Sequence, residues 1–110
     1  MSVNIYQEAR RSPSPIASTG SKSFNIIRRT VHEVFPGITS APGLVIAGTD
    51  SKHYVEISDI SYRFAPILVG PEEVAGIHGT NERITIEGYI KMIKYYGRLI
   101  ENAASAGGVI

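Results

Sequence analysis

The helical period running from Ile86 to Ile100 constrains this chain more than any other feature. Ile86, Tyr89, Ile90, Ile93, Tyr96 and Ile100 recur at three- and four-residue intervals over four turns. That spacing lines them up on one face of an α-helix. Thr85, just before the run, supplies a capping hydroxyl. Gly97 inside it costs about 1 kcal/mol relative to alanine and is expected to admit a close neighbour. From Asn102 to Gly108 the composition turns to alanine, serine and glycine, which predicts a fraying end.

A second amphipathic stretch precedes it. Phe24, Ile27, Val31 and Val34 follow the same period, widened by Ile26 and Phe35. Ser21 or Ser23 caps its start and Pro36-Gly37 stops it. Between the two helices lie short apolar runs of a different kind. Leu44-Val45-Ile46-Ala47, bounded by turn residues, suits a strand buried on both faces. Ser61 to Leu68 suits an edge strand that ends near Pro66, because proline cannot donate to a ladder. Val3, Ile5 and Tyr6 suit a further short strand. Asp50 or Ser51 caps a short helix carrying His53, and Pro71 opens another with Glu72 and Glu73 at its positive end. Ser12-Pro13-Ser14-Pro15 forbids a helix and reads as a stiff connector. Helices and strands in alternation predict an α/β fold.

With 110 residues the chain is one domain by length, and 43% apolar residues are enough for one core. A net charge of +1, with no basic face, argues against a nucleic-acid partner. The absence of cysteine excludes disulfides and thiolate metal sites. No apolar run reaches the roughly 18 residues of a membrane span, and the first residues lack the pattern of a signal peptide. A cytoplasmic location is the expectation.

Two loops concentrate polar chemistry. In Gly48-Thr49-Asp50-Ser51-Lys52-His53, Lys52 and His53 next to Thr49 and Asp50 suit recognition of an anion such as a carboxylate. In Gly76-Ile77-His78-Gly79-Thr80-Asn81-Glu82-Arg83, a histidine flanked by glycine suits a metal ligand or a general base. If the strands before them are neighbours, both loops open on one edge of the sheet. Taken alone, these residues satisfy loop backbone groups at least as well. A catalytic zinc needs about three protein ligands, and neither a His-x-x-x-His nor a His-Glu-x-x-His segment occurs. There is no Gly-x-Ser-x-Gly nucleophile elbow and no phosphate-binding loop.

Gly48 to Tyr54 and His78 to Ile84, in that order and separation, resemble the C-terminal part of a family of two-zinc metallopeptidases. The family contains carboxypeptidase S (Gly-X carboxypeptidase), aminoacylase-1 and acetylornithine deacetylase, and the carboxypeptidase S branch is the nearest. Tyr62-Arg63-Phe64-Ala65-Pro66 fits the same register. The resemblance implies a zinc-peptidase catalytic domain with helices packed on a mixed sheet. Residues 1–11 would be a remnant of the last strand of a lid domain, 12–20 a connector, and 21–110 the C-terminal part of the catalytic domain.

It also implies that His78 is the last zinc ligand. Lys52 would contact the substrate carboxylate, with Thr49, Asp50, Gly79 and Asn81 shaping the site. Lysine stands here where the family has arginine, which keeps the charge and loses the fork. The implied substrates are peptides or N-acyl amino acids with a free carboxylate. The implied chemistry is amide hydrolysis by a water bridging two zinc ions. The family's other zinc ligands and its general base have no counterpart here, so no catalytic residue is assigned and the chain alone is expected to be inactive. Its expected partner is the missing N-terminal part of the catalytic domain. The alternative is a non-enzymatic module that self-associates as a homo-oligomer through uncovered apolar surface.

Overall fold

The computed structural model describes residues 14–106. Two helices carry the architecture, α1 (Lys22–Val34) and α3 (Ile86–Ser105), with a short α2 (Pro71–Gly76) and one 3₁₀ turn at Asp50–His53 between them. α1 starts where the Ser21 hydroxyl accepts the Phe24 N–H at 3.0 Å. It ends as Pro36 interrupts the backbone and Gly37 takes φ +81°, a left-handed conformation suited to glycine. α3 starts where the Thr85 hydroxyl accepts the Gly88 N–H at 3.0 Å. In α2, which opens with Pro71, the Glu73 carboxylate accepts the Gly70 N–H at 2.8 Å. No helix among the described residues is long and apolar enough to cross a membrane.

α1 packs on α3, and their contact holds the small core. Val31, Phe35 and Tyr95 are its buried apolar residues, with Val34 and Leu99 packed at its margin. Tyr95 is fully buried, its ring centroid 5.3 Å from that of Phe64 and 6.4 Å from that of Phe35. Burial pushes its hydroxyl up to about 12, and that hydroxyl donates to the Ile27 carbonyl at 3.4 Å.

Beside the aromatic core runs a polar seam. Asn102 Nδ2 donates to Thr30 Oγ1 at 3.0 Å and to Glu33 at 3.0 Å. Glu33 also accepts from Arg98 Nε at 2.6 Å and from Arg29 Nε at 2.8 Å. Thr30 and Asn102 are both buried, and each is satisfied. The predicted fraying from Asn102 is therefore corrected: Asn102 anchors the last turns of α3 to α1, and the helix continues to Ser105.

The hydrogen bonds to Glu33 from Arg98, Asn102 and Arg29 hold its carboxyl at about 2, below its ordinary 4.5. A depressed carboxylate stabilises the fold above its unfolded-state value, and that contribution drains away as pH falls toward the folded value. Helical circular dichroism at 222 nm is therefore expected to fall between about pH 4.5 and 2. Glu33→Gln is expected to flatten that dependence, and an unchanged acid profile in the variant would count against the seam.

The predicted α/β fold, with its mixed sheet, is not what forms: no strand is present among the described residues. A strand is stable only when a neighbour takes up its N–H and C=O groups. Among the described residues neither Leu44–Ala47 nor Ser61–Leu68 finds one. Ile46 stands fully exposed and Leu44 is 77% exposed. In the second run Ile67 turns back to donate to the Ala65 carbonyl at 2.9 Å, which breaks an extended register. Pro66 is buried outright, and Phe64 packs against Tyr95 with the two rings tilted by 48°. That run serves as irregular packing against the helices. The expected strand near Val3 and the 1–11 remnant lie outside the described residues.

The helices are where the period places them, but α3 turns an unexpected face inward. Gly88, Tyr95 and Asn102 are its buried residues, whereas Ile86, Tyr89, Ile90, Ile93, Tyr96 and Ile100 are all exposed. Gly97 lies on this outer side, and a Cβ there would meet no atom within 4 Å. The expectation that it admits a close neighbour is not met among the described residues. Gly97→Ala is expected to stabilise the chain by about 1 kcal/mol, raising the thermal midpoint by several degrees. A lower midpoint would show that something packs against the bare backbone.

Candidate functional site

The first expected loop is built around a hydroxyl turn. Thr49, not Asp50 or Ser51, is the cap of the 3₁₀ helix: its Oγ1 accepts the Ser51 N–H at 3.3 Å and lies 2.6 Å from Ser51 Oγ. Asp50 and Lys52 are exposed, and Thr49 is half-buried. Arg63 fastens this turn to the rest of the chain. Its Nε donates to Ser51 Oγ at 2.9 Å, Nη1 to the Val45 carbonyl at 3.3 Å and Nη2 to Ser14 Oγ at 3.2 Å. An open groove of about 510 Å³ follows, lined by Val45, Thr49, Asp50, Ser51, Tyr62, Arg63, Phe64 and Ala65.

Tyr62 ties the same region to the start of α1. Its hydroxyl donates to the Ser18 carbonyl and bonds with Ser21 Oγ, and its ring lies 5.7 Å from that of Phe24. Residues 14–20 are thus laid along the Tyr62–Arg63 segment.

The second loop begins where α2 stops. The Gly79 N–H donates back to the Gly76 carbonyl at 2.9 Å, closing a turn around Ile77 and His78. His78 and Asn81 both hold positive φ, 59° and 63°. This left-handed region is uncommon outside glycine, although asparagine and histidine tolerate it better than most. Two such residues in one loop store strain of a kind that clusters at functional sites. His78, Gly79 and Asn81 are exposed. Arg83 pairs with Glu72 at 3.2 Å, linking the end of the loop to α2.

Thr49 and Asp50 share the groove; Lys52 and His78 do not line it. The expectation that both loops open on one sheet edge lapses with the sheet. Among the described residues no three His, Asp or Glu side chains gather into a group able to hold a metal ion. These residues alone do not fit a zinc site. A second hollow of about 450 Å³, between α1 and α3, is lined by Arg29, Arg98 and Glu101, and these are already engaged in ion pairs. Arg63 and Ser51 line the groove at the hydroxyl turn but are not among the candidate site residues that the sequence offers. The available signal was an arginine inside an apolar, proline-ended run.

The family model "Peptidase family M20/M25/M40" matches residues 2–102, nearly the whole chain. The chain belongs to this peptidase family. Its relatives include the probable carboxypeptidase S-like 2 of Dictyostelium discoideum, 38% identical over 82% of this chain and 17% of the relative. The N-fatty-acyl-amino acid synthase/hydrolase PM20D1.1 of Danio rerio is 41% identical over 83% of this chain and 18% of that protein. Carboxypeptidase S of Saccharomyces cerevisiae is 24% identical over 82% and 17%. The chain thus spans less than a fifth of the length of these curated relatives. No solved structure matches it. M20 peptidases are hydrolases, and the expected kinship with carboxypeptidase S holds.

Proposed function

We propose that this chain is the C-terminal segment of a zinc-dependent metallo-carboxypeptidase or amidohydrolase. The enzyme would cleave the amide bond of peptides or N-acyl amino acids that carry a free carboxylate. The observation that carries the reading is the family match over residues 2–102. Relatives named as carboxypeptidases and as an N-fatty-acyl-amino acid synthase/hydrolase support the substrate class. His78 supplies one metal ligand from the strained loop after α2, and Lys52 a positive charge for the carboxylate. Thr49, Asp50, Gly79 and Asn81 shape their surroundings. The remaining ligands and the general base come from outside this chain, so the isolated chain is inactive.

The test is a graft. Residues 14–106 replace the matching segment of the Dictyostelium relative, and hydrolysis of N-acyl amino acids and of dipeptides is followed together with zinc content. The graft is expected to hydrolyse at least one of these classes, while the chain by itself releases no amino acid. A folded graft with normal zinc and no hydrolysis of either class would end the proposal.

The exposed stripe Ile86, Tyr89, Ile93, Tyr96 and Ile100 favours a second reading, self-association through α3. Sedimentation separates the two: a concentration-dependent dimer disrupted by Ile93→Glu supports it, and a monomer at all concentrations removes it.

A further inference from the structure

Arg63 has an environment unlike that of the other arginines among the described residues. Arg28, Arg29, Arg83 and Arg98 are exposed, and three of these four pair with glutamates. Arg63 is half-buried and has no acidic partner among the described residues. Its three hydrogen bonds all go to neutral acceptors: Ser51 Oγ, Ser14 Oγ and the Val45 carbonyl. A guanidinium has five N–H donors, so its fork is held from several sides and donors remain. Withdrawing a charge from water without an opposite charge is unfavourable, and a carboxylate ligand would relieve it.

The groove beside Arg63 is of a size to receive one. Its walls combine the Thr49 and Ser51 hydroxyls with the apolar surfaces of Val45, Phe64 and Ala65. Asp50 also lines it but is not within ion-pairing distance of Arg63. Lys52, the charge expected to meet the carboxylate, is exposed and does not line the groove.

We propose that Arg63 binds the free carboxylate of the substrate, with the Thr49–Ser51 hydroxyl turn beside it, and supplies the forked contact that Lys52 cannot make. The inference rests on the carboxylate-directed reading above and deepens it. Arg63 holds the turn and discriminates between substrates. A planar guanidinium braced by three neutral bonds is pre-organised for a two-pronged contact, whereas an ammonium is a point charge on a flexible stem.

The experiment titrates the 15N-labelled chain with N-acetyl-L-leucine and, as the uncharged comparison, N-acetyl-L-leucinamide. Both are followed by the Arg63 Nε–H and the Ser51 and Lys52 amide resonances. The acid is expected to bind at least about tenfold more tightly than the amide. Arg63→Gln is expected to bring that ratio near one, and Arg63→Lys to leave an intermediate value. A brace alone would change both affinities together and leave the ratio standing. A wild-type chain with no preference for the acid overturns the proposal. So does a preference that survives Arg63→Gln, or one that disappears in Lys52→Gln alone. The Tyr95 and Phe35 ring resonances report whether Arg63→Gln keeps its fold. If they move, Arg63→Lys decides, and a full preference there overturns the proposal. Preference for the acid together with an inactive graft would defeat the hydrolase reading and leave Arg63 in place.

Discussion

His78→Ala in the graft is expected to remove a zinc equivalent and to lower hydrolysis by at least about a hundredfold. Residues that only support metal ligands already cost 10–100-fold when replaced, so loss of a proposed direct ligand sets that range as a floor. Inductively coupled plasma measurement of bound zinc and initial rates on N-acetyl-L-leucine give the two readouts. His78→Asn is the informative companion. Asparagine tolerates the left-handed backbone that His78 adopts at φ 59°, so it keeps the loop while removing the imidazole. Activity lost in both variants assigns the imidazole. Activity lost in His78→Ala and kept in His78→Asn would mean that only the backbone shape matters, contrary to the ligand assignment.

Tyr95→Ala carries the largest expected effect on stability. Its ring is fully buried, in contact with Phe35, Phe64 and Tyr96, in a core it shares with Val31 and Phe35 among the described residues. Truncating a buried aromatic to alanine costs about 3–5 kcal/mol. Small domains hold about 5–15 kcal/mol in all, and the core here is small. The variant is expected to lose most of its helical signal at 222 nm at 25 °C. Tyr95→Phe keeps the ring and forfeits only the long bond to the Ile27 carbonyl, so its cost is expected near 1 kcal/mol or less. Urea midpoints of the two variants separate packing from hydrogen bonding. Equal losses would contradict the aromatic core.

Much of the helical framework was legible because it is local. Thr85 and Ser21 cap their helices through contacts three residues away, and Pro71 opens α2, so these follow from short-range chemistry. The order of the Gly48–Tyr54 and His78–Ile84 segments was enough to identify the family, because a motif is a property of the chain itself. The bracing of Arg63 escaped because it depends on partners 12, 18 and 49 residues away. Asn102 and Thr30 escaped for a related reason. As polar residues in helices they read as surface, and only their mutual bond across 72 residues makes burial tolerable.

The helical stripe from Ile86 to Ile100 marks the division. Sequence alone determined that a helix forms there, where it starts, and that one side is apolar, since these follow from periodicity and a cap. Tertiary structure alone decided which side meets α1. The aromatic contacts of Tyr95 and the Asn102–Glu33 seam draw the opposite face inward and leave the isoleucine stripe in solvent. The missing sheet has the same cause. Apolar runs at Leu44 and Tyr62 have strand-like composition, but a strand exists only through hydrogen bonds to a neighbour, and within residues 14–106 neither run has one.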